Sequence, residues 1–272
     1  MSGRRPRLGI AFGGGGIRGM AHIGLIEELD KRGIRADMVS GTSIGSCMAA
    51  RYACGYQGKF LASLMQNLDL KQIMAISPSL SGLMDGRNYA EFVRLMTRDR
   101  NIEDMPMPLA VVATDLEAGQ AEVMTDGPVW RAVQASSAIP GVFRPVEHQG
   151  KLLVDGCLVD NCPCAVLRYM GADVVIGIDL DALRTEQRAN INGKNVLSVL
   201  QRSIDVMGKR NNSTAYADIV LCPMDKYISS LDIDKAGLAL EFGRAEAARR
   251  IDEIMELLEE KGIVRRGLPS GE

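Results

Sequence analysis

The sequence predicts an α/β fold, a three-layer α/β/α sandwich with a mainly parallel central sheet. Apolar runs of strand length alternate with helical stretches, and these runs are apolar throughout instead of alternating with polar residues. Strands of that kind are typical of a parallel sheet that helices cover on both faces. The composition agrees, since it combines 29 glycines with only 4% aromatic residues. With no repeat or long linker, we expect one domain over 1–272, in which a motif-bearing core of about 8–180 packs against about 181–262.

The predicted elements follow one another along the chain. The run RLGIAF predicts the first strand, before GGGGIRG and a helix to about Arg32. The run ADMVSG predicts the second strand, before GTSIGS and a helix rich in Ala and Met. Further strands are predicted by LAVVATDL, KLLVDG, DVVIGIDL and DIVLCPM, and helices by 195–209 and 235–261. In the last helix we expect one buried stripe made of Leu238, Phe242, Ala245, Ile251, Ile254 and Leu258.

Charge and composition argue against several classes of protein. Thirty-two Lys and Arg balance 34 Asp and Glu, so we expect no nucleic-acid partner. The uncharged run 72–84 has 13 residues, fewer than the roughly 20 of a membrane-spanning helix, and no signal peptide is evident. The six cysteines form no C-x-x-C pair, so we expect reduced thiols, no metal site and a cytoplasmic location.

The pentapeptide from Gly41 to Gly45, GTSIG, follows a predicted strand and opens a predicted helix. That is the context of a nucleophile elbow, where a sharp turn needs small residues on both sides of the serine. The positive end of the helix would favour negative charge on the Ser43 oxygen. The alternative interpretation is a serine that caps a helix after a glycine turn.

The glycine-rich run from Gly13 to Gly19 follows the first predicted strand. Successive N–H groups at a helix start bind anions, either a phosphate or an oxyanion. Arg18 would hold this loop or face an anionic substrate. The spacing G-x-G-x-x-G also fits a dinucleotide-binding turn, which requires an acidic residue at the end of the second strand. That strand ends in Ser40-Gly41 and has Asp37 at its beginning, so an oxyanion loop is favoured.

A nucleophilic serine needs a base, and neither of the two histidines, His22 and His148, is suitably placed. Asp-Gly pairs occur at Asp85, Asp126 and Asp155, of which only Asp155 ends an apolar strand. We expect its side chain to project at the edge where a parallel sheet collects its ligands. A carboxylate is a weak base at its ordinary pKa, near 3.9, so a Ser–Asp dyad requires a partly dry cleft.

Taken together, GGGGIRG, GTSIG and VDG at successive strand ends resemble the patatin-like phospholipase family. The resemblance extends to GMAHIGLIEEL after Arg18 and to ASSAIPGVFRPV at 135–146, and it spans about 8–261. It implies a metal-free and cofactor-free Ser–Asp dyad that hydrolyses acyl esters of lipids, with a lipid ester as partner and transient peripheral contact with a membrane. It assigns Ser43 as the nucleophile, Asp155 as the proton acceptor and the N–H groups of Gly14, Gly15 and Gly16 as the oxyanion hole. The residues it implies in support are Arg18, Gly19, Gly41, Gly45 and Gly156.

One residue departs from the family pattern, because Cys157 stands where the third motif usually has Gly or Ala. Cysteine is small enough for the turn, so we expect the geometry to survive and the thiol to be buried and inert. The Leu- and Met-rich segment 60–84 allows two interpretations, a mobile lid or part of the core. The spacing of Phe60, Leu64 and Leu68 favours a core face.

The function expected from these residues is a serine acyl hydrolase that cleaves phospholipid or lysophospholipid esters through Ser43 and Asp155. A second interpretation keeps the dyad and gives it small soluble esters or thioesters. A third is a catalytically silent scaffold or regulatory protein with the same fold. A dinucleotide-binding protein is the least favoured of the four.

Overall fold

A mixed sheet of eight strands lies at the centre of the fold, in a computed structural model that describes residues 4–67, 86–182, 191 and 193–264. Five strands run parallel, and three pair antiparallel at one side of the sheet. In chain order the strands are β1 (Leu8–Phe12), β2 (Met38–Thr42), β3 (Leu109–Asp115), β4 (Gln120–Met124), β5 (Val146–His148), β6 (Lys151–Asp155), β7 (Val174–Ile178) and β8 (Ile219–Leu221).

Helices cover both faces of this sheet. Within the described residues they are α1 (Met20–Lys31), α2 (Ile44–Ala53), α3 (Gly58–Asn67), α4 (Arg87–Met96), α5 (Val129–Ser136), α6 (Cys164–Tyr169), α7 (Val196–Arg210) and α8 (Ala236–Glu260). None of these helices is long and apolar enough to cross a lipid bilayer.

The side chains of β1 show how the layers form. Leu8, Ile10 and Phe12 join the large core cluster that contains residues of α1, α2 and α8. Ala11 points to the opposite face and belongs to a smaller cluster with Leu167 of α6. Because successive side chains of a strand alternate between faces, a strand that is apolar throughout needs helices on both sides. The predicted α/β sandwich is confirmed.

The strand order β3-β2-β1-β7-β8 is parallel throughout, which confirms the mainly parallel sheet. The predicted strand at Lys151–Asp155 is present, but it runs antiparallel to β3. Asp155 nevertheless lies beside the carboxyl end of the parallel strand β2, at the edge of the sheet where it was expected. The strand β4 was not predicted, because its side chains are mostly exposed and its sequence QAEVM carries little apolar signal.

One edge of β3 is shared by two strands that meet end to end. Along this edge Val112 pairs with Thr42, the last residue of β2, and Ala113 pairs with Asp155, the last residue of β6. The other edge of β3 pairs with β4 over the same stretch. The carboxyl ends of β2 and β6 are therefore brought together although the strands run in opposite directions.

The helix α8 packs along α1, and glycines make their close approach possible. A Cβ atom on Gly243 would lie 2.1 Å from the carbonyl oxygen of Ala21, and one on Gly24 would lie 2.6 Å from that of Leu240. The predicted stripe of α8 is right in its second half, where Ile251, Ile254 and Leu258 are buried. In the first half Leu238 and Phe242 are half-buried and pack against the core, but Ala245 is exposed, so the prediction was wrong there. The fully buried residues of this half are Ala239, Leu240, Gly243, Glu246 and Ala247.

The first residues of the segment 60–84 lie in the helix α3. Phe60 is 49% exposed and stacks on Tyr56, whereas Leu61 and Ala62 are buried. The predicted core face was therefore wrong at Phe60, and Leu64 is only half-buried. Leu68 and the remainder of the segment to Met84 lie outside the described residues.

Candidate active site

Ser43 occupies a sharp turn between β2 and α2. Its backbone angles are φ 54° and ψ −128°, a left-handed conformation that is strained for a residue with a side chain. Close packing explains the glycines around it, because a Cβ atom on Gly45 would lie 2.0 Å from the Phe12 carbonyl oxygen. A Cβ atom on Gly41 would lie 2.5 Å from the carbonyl oxygen of Gly45. This geometry is that of a nucleophile elbow.

Ser136 holds the strained backbone of Ser43. The Ser43 N–H donates a hydrogen bond of 2.8 Å to Ser136 Oγ, which itself donates one of 2.6 Å to the Val112 carbonyl oxygen. Ser136 is fully buried near the end of α5. Sequence reasoning gave it no role, and the signal that was available is its place in the segment ASSAIPGVFRPV.

The side chains of Ser43 and Asp155 are in direct contact. Ser43 Oγ donates a hydrogen bond of 2.7 Å to Asp155 Oδ2, and the N–H of Cys157 donates one of 2.9 Å to Asp155 Oδ1. Ser43 is 6% exposed and Asp155 is 1% exposed. Both oxygens of the carboxylate are thus fixed, and one of them is directed at the serine hydroxyl.

Burial changes the acidity of Asp155. It raises the pKa of this carboxyl to about 6, against the opposing effect of the hydrogen bonds from Cys157 and Ser43. The group is then still ionised at neutral pH, but it is a stronger base than an exposed aspartate. A carboxylate in this state is suited to accept a proton from a hydroxyl group.

Within the described residues, neither of the two histidines is hydrogen-bonded to Ser43. His22 is fully buried, and its Nε2 lies 2.8 Å from the carbonyl oxygen of Gly13. Burial lowers the pKa of His22 to about 4, so its ring is neutral and donates this bond to the glycine-rich loop. His148 lies in β5, beside the turn that leads to β6.

The glycine-rich loop offers two free amides beside Ser43. Gly14 was predicted as an oxyanion donor, but its N–H donates a hydrogen bond of 2.9 Å to the Asn161 carbonyl oxygen and so anchors the loop. Within the described part of the chain, the N–H groups of Gly15 and Gly16 have no such acceptor. Gly16 has φ 57°, and a Cβ atom there would lie 2.2 Å from the Ser230 carbonyl oxygen, so glycine is required.

The Arg18 side chain anchors the glycine-rich loop. Its guanidinium makes ion pairs of 2.8 Å with Asp181 and 3.2 Å with Asp205, and its Nε donates a hydrogen bond of 3.0 Å to the Gly15 carbonyl oxygen. Arg18 is 4% exposed. Of the two roles considered for it, the structure gives it that of holding the loop.

The third motif forms a tight turn after β6. A Cβ atom on Gly156 would lie 2.3 Å from the Val112 carbonyl oxygen, and one on Gly19 would lie 2.5 Å from the Ile44 side chain, so both positions require glycine. Cys157 fits the turn, and its N–H reaches Asp155. Burial and the Asp155 carboxylate raise the pKa of the Cys157 thiol well above its ordinary value, which keeps the thiol protonated and unreactive.

The dinucleotide-binding alternative finds little support at the glycine-rich loop. Asp37 lies at the beginning of β2, where its Oδ2 accepts the N–H of Leu8, at the opposite end of the strand from the glycine loop. It cannot reach a ribose bound at that loop. Among the described residues, no cluster of three or more His, Cys, Asp and Glu side chains could hold a metal ion.

The part of the chain that carries this site matches a known protein family. The sequence model of the family described as patatin-like phospholipase matches residues 10–168, which include the glycine-rich loop, the elbow and Asp155. The chain belongs to the patatin-like phospholipase family. It is 37% identical over 179 residues to an uncharacterized NTE family protein of Mycobacterium tuberculosis, a match that covers 65% of this chain and 49% of that protein.

A mammalian patatin-like relative matches the same part of the chain. Identity is 35% over 182 residues with patatin-like phospholipase domain-containing protein 7 of Rattus norvegicus, covering 64% of this chain and 13% of the relative. The chain thus spans half or less of these relatives' lengths.

Solved structures share the patatin-like fold. The structure of VipD from Legionella pneumophila has a TM-score of 0.61 at 14% identity and covers 92% of this chain and 67% of that one. The type III effector protein ExoU has a TM-score of 0.51 at 14% identity, covering 91% and 53%. At this identity the likeness shows the fold alone.

Two cavities of different character adjoin Ser43 in this patatin-like site. The first has a volume of about 770 Å³, open mouth included, and its lining is almost entirely apolar. The second is smaller, about 320 Å³ with its open mouth included, and its lining is mostly polar, with Asp155 and Arg18 among the side chains. Apolar residues of the first cavity include Ile17, Met20, Met48, Met65, Phe92 and Phe143.

Proposed function

We propose that the protein is a serine acyl hydrolase that cleaves the carboxylic ester bonds of lipids, of the phospholipid or lysophospholipid class. The observation that carries this proposal is the 2.7 Å hydrogen bond from Ser43 Oγ to the buried carboxylate of Asp155 at a strained elbow. Membership of the patatin-like phospholipase family supports the same reaction class.

In the proposed reaction, Asp155 accepts the hydroxyl proton as Ser43 Oγ attacks the ester carbonyl carbon. The N–H groups of Gly15 and Gly16 stabilise the oxyanion that forms. The bond to the alcohol oxygen then breaks, and that oxygen takes the proton from Asp155. A water molecule then attacks the acyl carbon of the acyl-serine and gives one proton to Asp155. The bond to Ser43 Oγ breaks, the fatty acid is released, and Asp155 returns the proton to Ser43.

The apolar cavity supports a lipid over a small soluble ester. Its space of about 770 Å³ begins at Ser43 and is lined by methionine and aromatic side chains. Each CH₂ group of an acyl chain that leaves water for such a surface contributes about 0.8 kcal/mol. A lipid substrate also implies transient peripheral contact with a membrane, which co-sedimentation with lipid vesicles tests.

A fluorophosphonate probe tests the nucleophile without knowledge of the natural substrate. We expect intact-mass analysis to find a single adduct on the wild type, no adduct on Ser43→Ala, and labelling slowed about a hundredfold or more in Asp155→Asn. Ser203→Ala is the matched control, because Ser203 is exposed on α7, and it should label like the wild type. A folded wild type that forms no adduct even with lipid vesicles would support the silent scaffold instead.

A series of p-nitrophenyl esters of increasing acyl length separates lipid from small soluble substrates. We expect kcat/KM to rise with chain length in the wild type and to stop rising early in Met65→Trp, since Met65 lines the apolar cavity. Leu95→Trp is the control, because Leu95 is 74% exposed on α4. A kcat/KM that is highest for acetate would favour the small-ester esterase.

A further inference from the structure

The polar cavity contains side chains that lack partners although they are buried. Asn161, Gln201, Asp205 and Ser230 line it, and each is at most 7% exposed. Four of their atoms have no hydrogen-bond partner within the described residues: Asn161 Oδ1, Gln201 Oε1, Asp205 Oδ2 and Ser230 Oγ. A buried polar atom without a partner costs about 1–3 kcal/mol, so four around one cavity point to a ligand with matching groups.

Neighbouring bonds fix the orientation of the two amides. Asn161 Nδ2 donates to Asp181 Oδ2 at 2.6 Å, so its Oδ1 is the atom left without a partner. Gln201 Nε2 donates to Asp205 Oδ1 at 3.4 Å, which likewise leaves Oε1 free. Three of the four unpartnered atoms are therefore acceptors, and the Ser230 hydroxyl can also accept. The complementary ligand is one that donates hydrogen bonds.

Asp155 shows which part of the ester faces this cavity. It lines the polar cavity together with Ser43, whereas in the described part of the chain the apolar cavity has Ser43 without Asp155 in its lining. In the proposed reaction the leaving alcohol oxygen takes its proton from Asp155. The alcohol must then lie on the side of the polar cavity while the acyl chain extends into the apolar one.

The charges of the lining disfavour an anionic ligand. Asp181 and Asp205 stand beside Asp155 and disfavour an anion such as phosphate, since Arg18 is already paired with the first two. These three carboxylates outnumber the Arg18 guanidinium and would also attract an ammonium ion, so cleavage of an aminoalkyl ester separates that ligand from one with hydroxyl groups. Hydroxyl groups donate hydrogen bonds without carrying charge.

On the basis of the proposed hydrolase function, we propose that the polar cavity is an alcohol subsite, which selects esters whose alcohol carries further free hydroxyl groups, as glycerol does. Such a substrate would donate to the acceptors of Asn161, Gln201 and Asp205. A phosphate, where the substrate has one, would lie outside this cavity.

Three octanoate esters that share one acyl chain test the subsite. They are p-nitrophenyl octanoate, ethyl octanoate and octanoylglycerol, and the measured quantity is the kcat/KM ratio of the glycerol ester to the ethyl ester. We expect a ratio of about ten or more in the wild type. Gln201→Met and Ser230→Ala should each lower this ratio about fivefold, because each removes one acceptor. Ser203→Ala, an exposed position on the same helix as Gln201, should not change the ratio.

The outcomes separate the subsite from the reaction itself. Ser43-dependent cleavage of p-nitrophenyl octanoate with equal rates for the glycerol and ethyl esters would overturn the subsite and leave the hydrolase. No Ser43-dependent cleavage of any of the three would overturn both. A fourth ester, 2-aminoethyl octanoate, carries an ammonium group on its alcohol. Its faster cleavage than that of the glycerol ester would show that the cavity takes a cation, which also contradicts the proposal.

Discussion

Thr42 and Asp155 pair with consecutive residues on the same edge of β3, although their own strands run in opposite directions. The residue after Thr42 is Ser43, so this arrangement brings the serine hydroxyl to the carboxylate. The register of β6 decides the contact, because a slip by one residue would turn the Asp155 side chain to the other face of the sheet. The Asp155 backbone is tied to its place by its N–H, which donates to the Ala138 carbonyl oxygen at 3.0 Å.

The rate of ester cleavage should fall in acid with a midpoint near the pKa of Asp155. Burial raises that pKa to about 6, and only the carboxylate form accepts the serine proton. We therefore expect kcat/KM to be level above this pH and to fall about tenfold for each pH unit below it, measured with p-nitrophenyl octanoate. Asp160 is the control, because burial also raises its pKa to about 6, and Asp160→Asn should keep the same midpoint. A midpoint that moves in Asp160→Asn would contradict the assignment.

Ser136→Ala should lower kcat more than it changes KM. The substitution removes the acceptor of the Ser43 N–H, which then stays buried without a partner at a strained turn. We expect kcat to fall about tenfold to a hundredfold. Ser63→Ala, at an exposed position of α3, should leave kcat unchanged. An increase in KM with an unaltered kcat would mean that Ser136 acts on substrate binding instead of on the elbow.

Gly45→Ala should destabilise the fold and abolish fluorophosphonate labelling. The added methyl group would lie 2.0 Å from the backbone oxygen of Phe12, so β1 and α2 would have to separate. We expect a loss of about 3 kcal/mol or more in the free energy of unfolding, measured with urea. Gly237→Ala is matched to it, since Gly237 lies in α8 with no atom near its Cβ position, and it should gain about 0.5–1 kcal/mol. Equal effects at the two positions would refute the packing argument.

Arg18→Met should strongly destabilise the protein, because it leaves Asp181 and Asp205 buried without their cation. The expected loss is about 3–5 kcal/mol at neutral pH. Burial raises the pKa of Asp181 to about 7, so this carboxyl takes up a proton as the pH falls and the loss should shrink in mild acid. Arg94→Met removes a cation that pairs with Glu91 and Asp99 on the surface of α4, and we expect it to leave the urea midpoint unchanged. A loss in Arg18→Met that does not depend on pH would argue against unpaired carboxylates as the cause.

Local patterns were enough to predict the strands that carry the site and the contact partners Ser43 and Asp155. Apolar runs identify buried strands, and the glycines after them identify tight turns. The direction of β6 could not be predicted, because an apolar run looks the same whether its strand is parallel or antiparallel. The use of the Gly14 N–H by Asn161 was also missed. These residues are 147 positions apart, and hydrophobic periodicity carries no information on contacts across that distance.

The polar cavity lies beyond sequence reasoning for the same reason. Its unpartnered acceptors come from the turn after β6, from α7 and from the segment before α8. None of the residues Asn161, Gln201, Asp205 and Ser230 stands in a recognisable motif, and each would be taken for an ordinary surface residue of a helix or loop. Only the packing of these segments around Arg18 turns them into one lining.

The end-to-end meeting of β2 and β6 has a consequence for the folding of the chain. Ser43 and Asp155 are separated by 112 positions, and their contact closes a large loop that includes β3, β4 and α5. Contacts of such separation form late, since loop closure must be complete before they contribute. During refolding, covalent labelling of Ser43 should therefore return only when the antiparallel part of the sheet is assembled. If Ser43 is the nucleophile we propose, its labelling serves as a built-in reporter of complete folding.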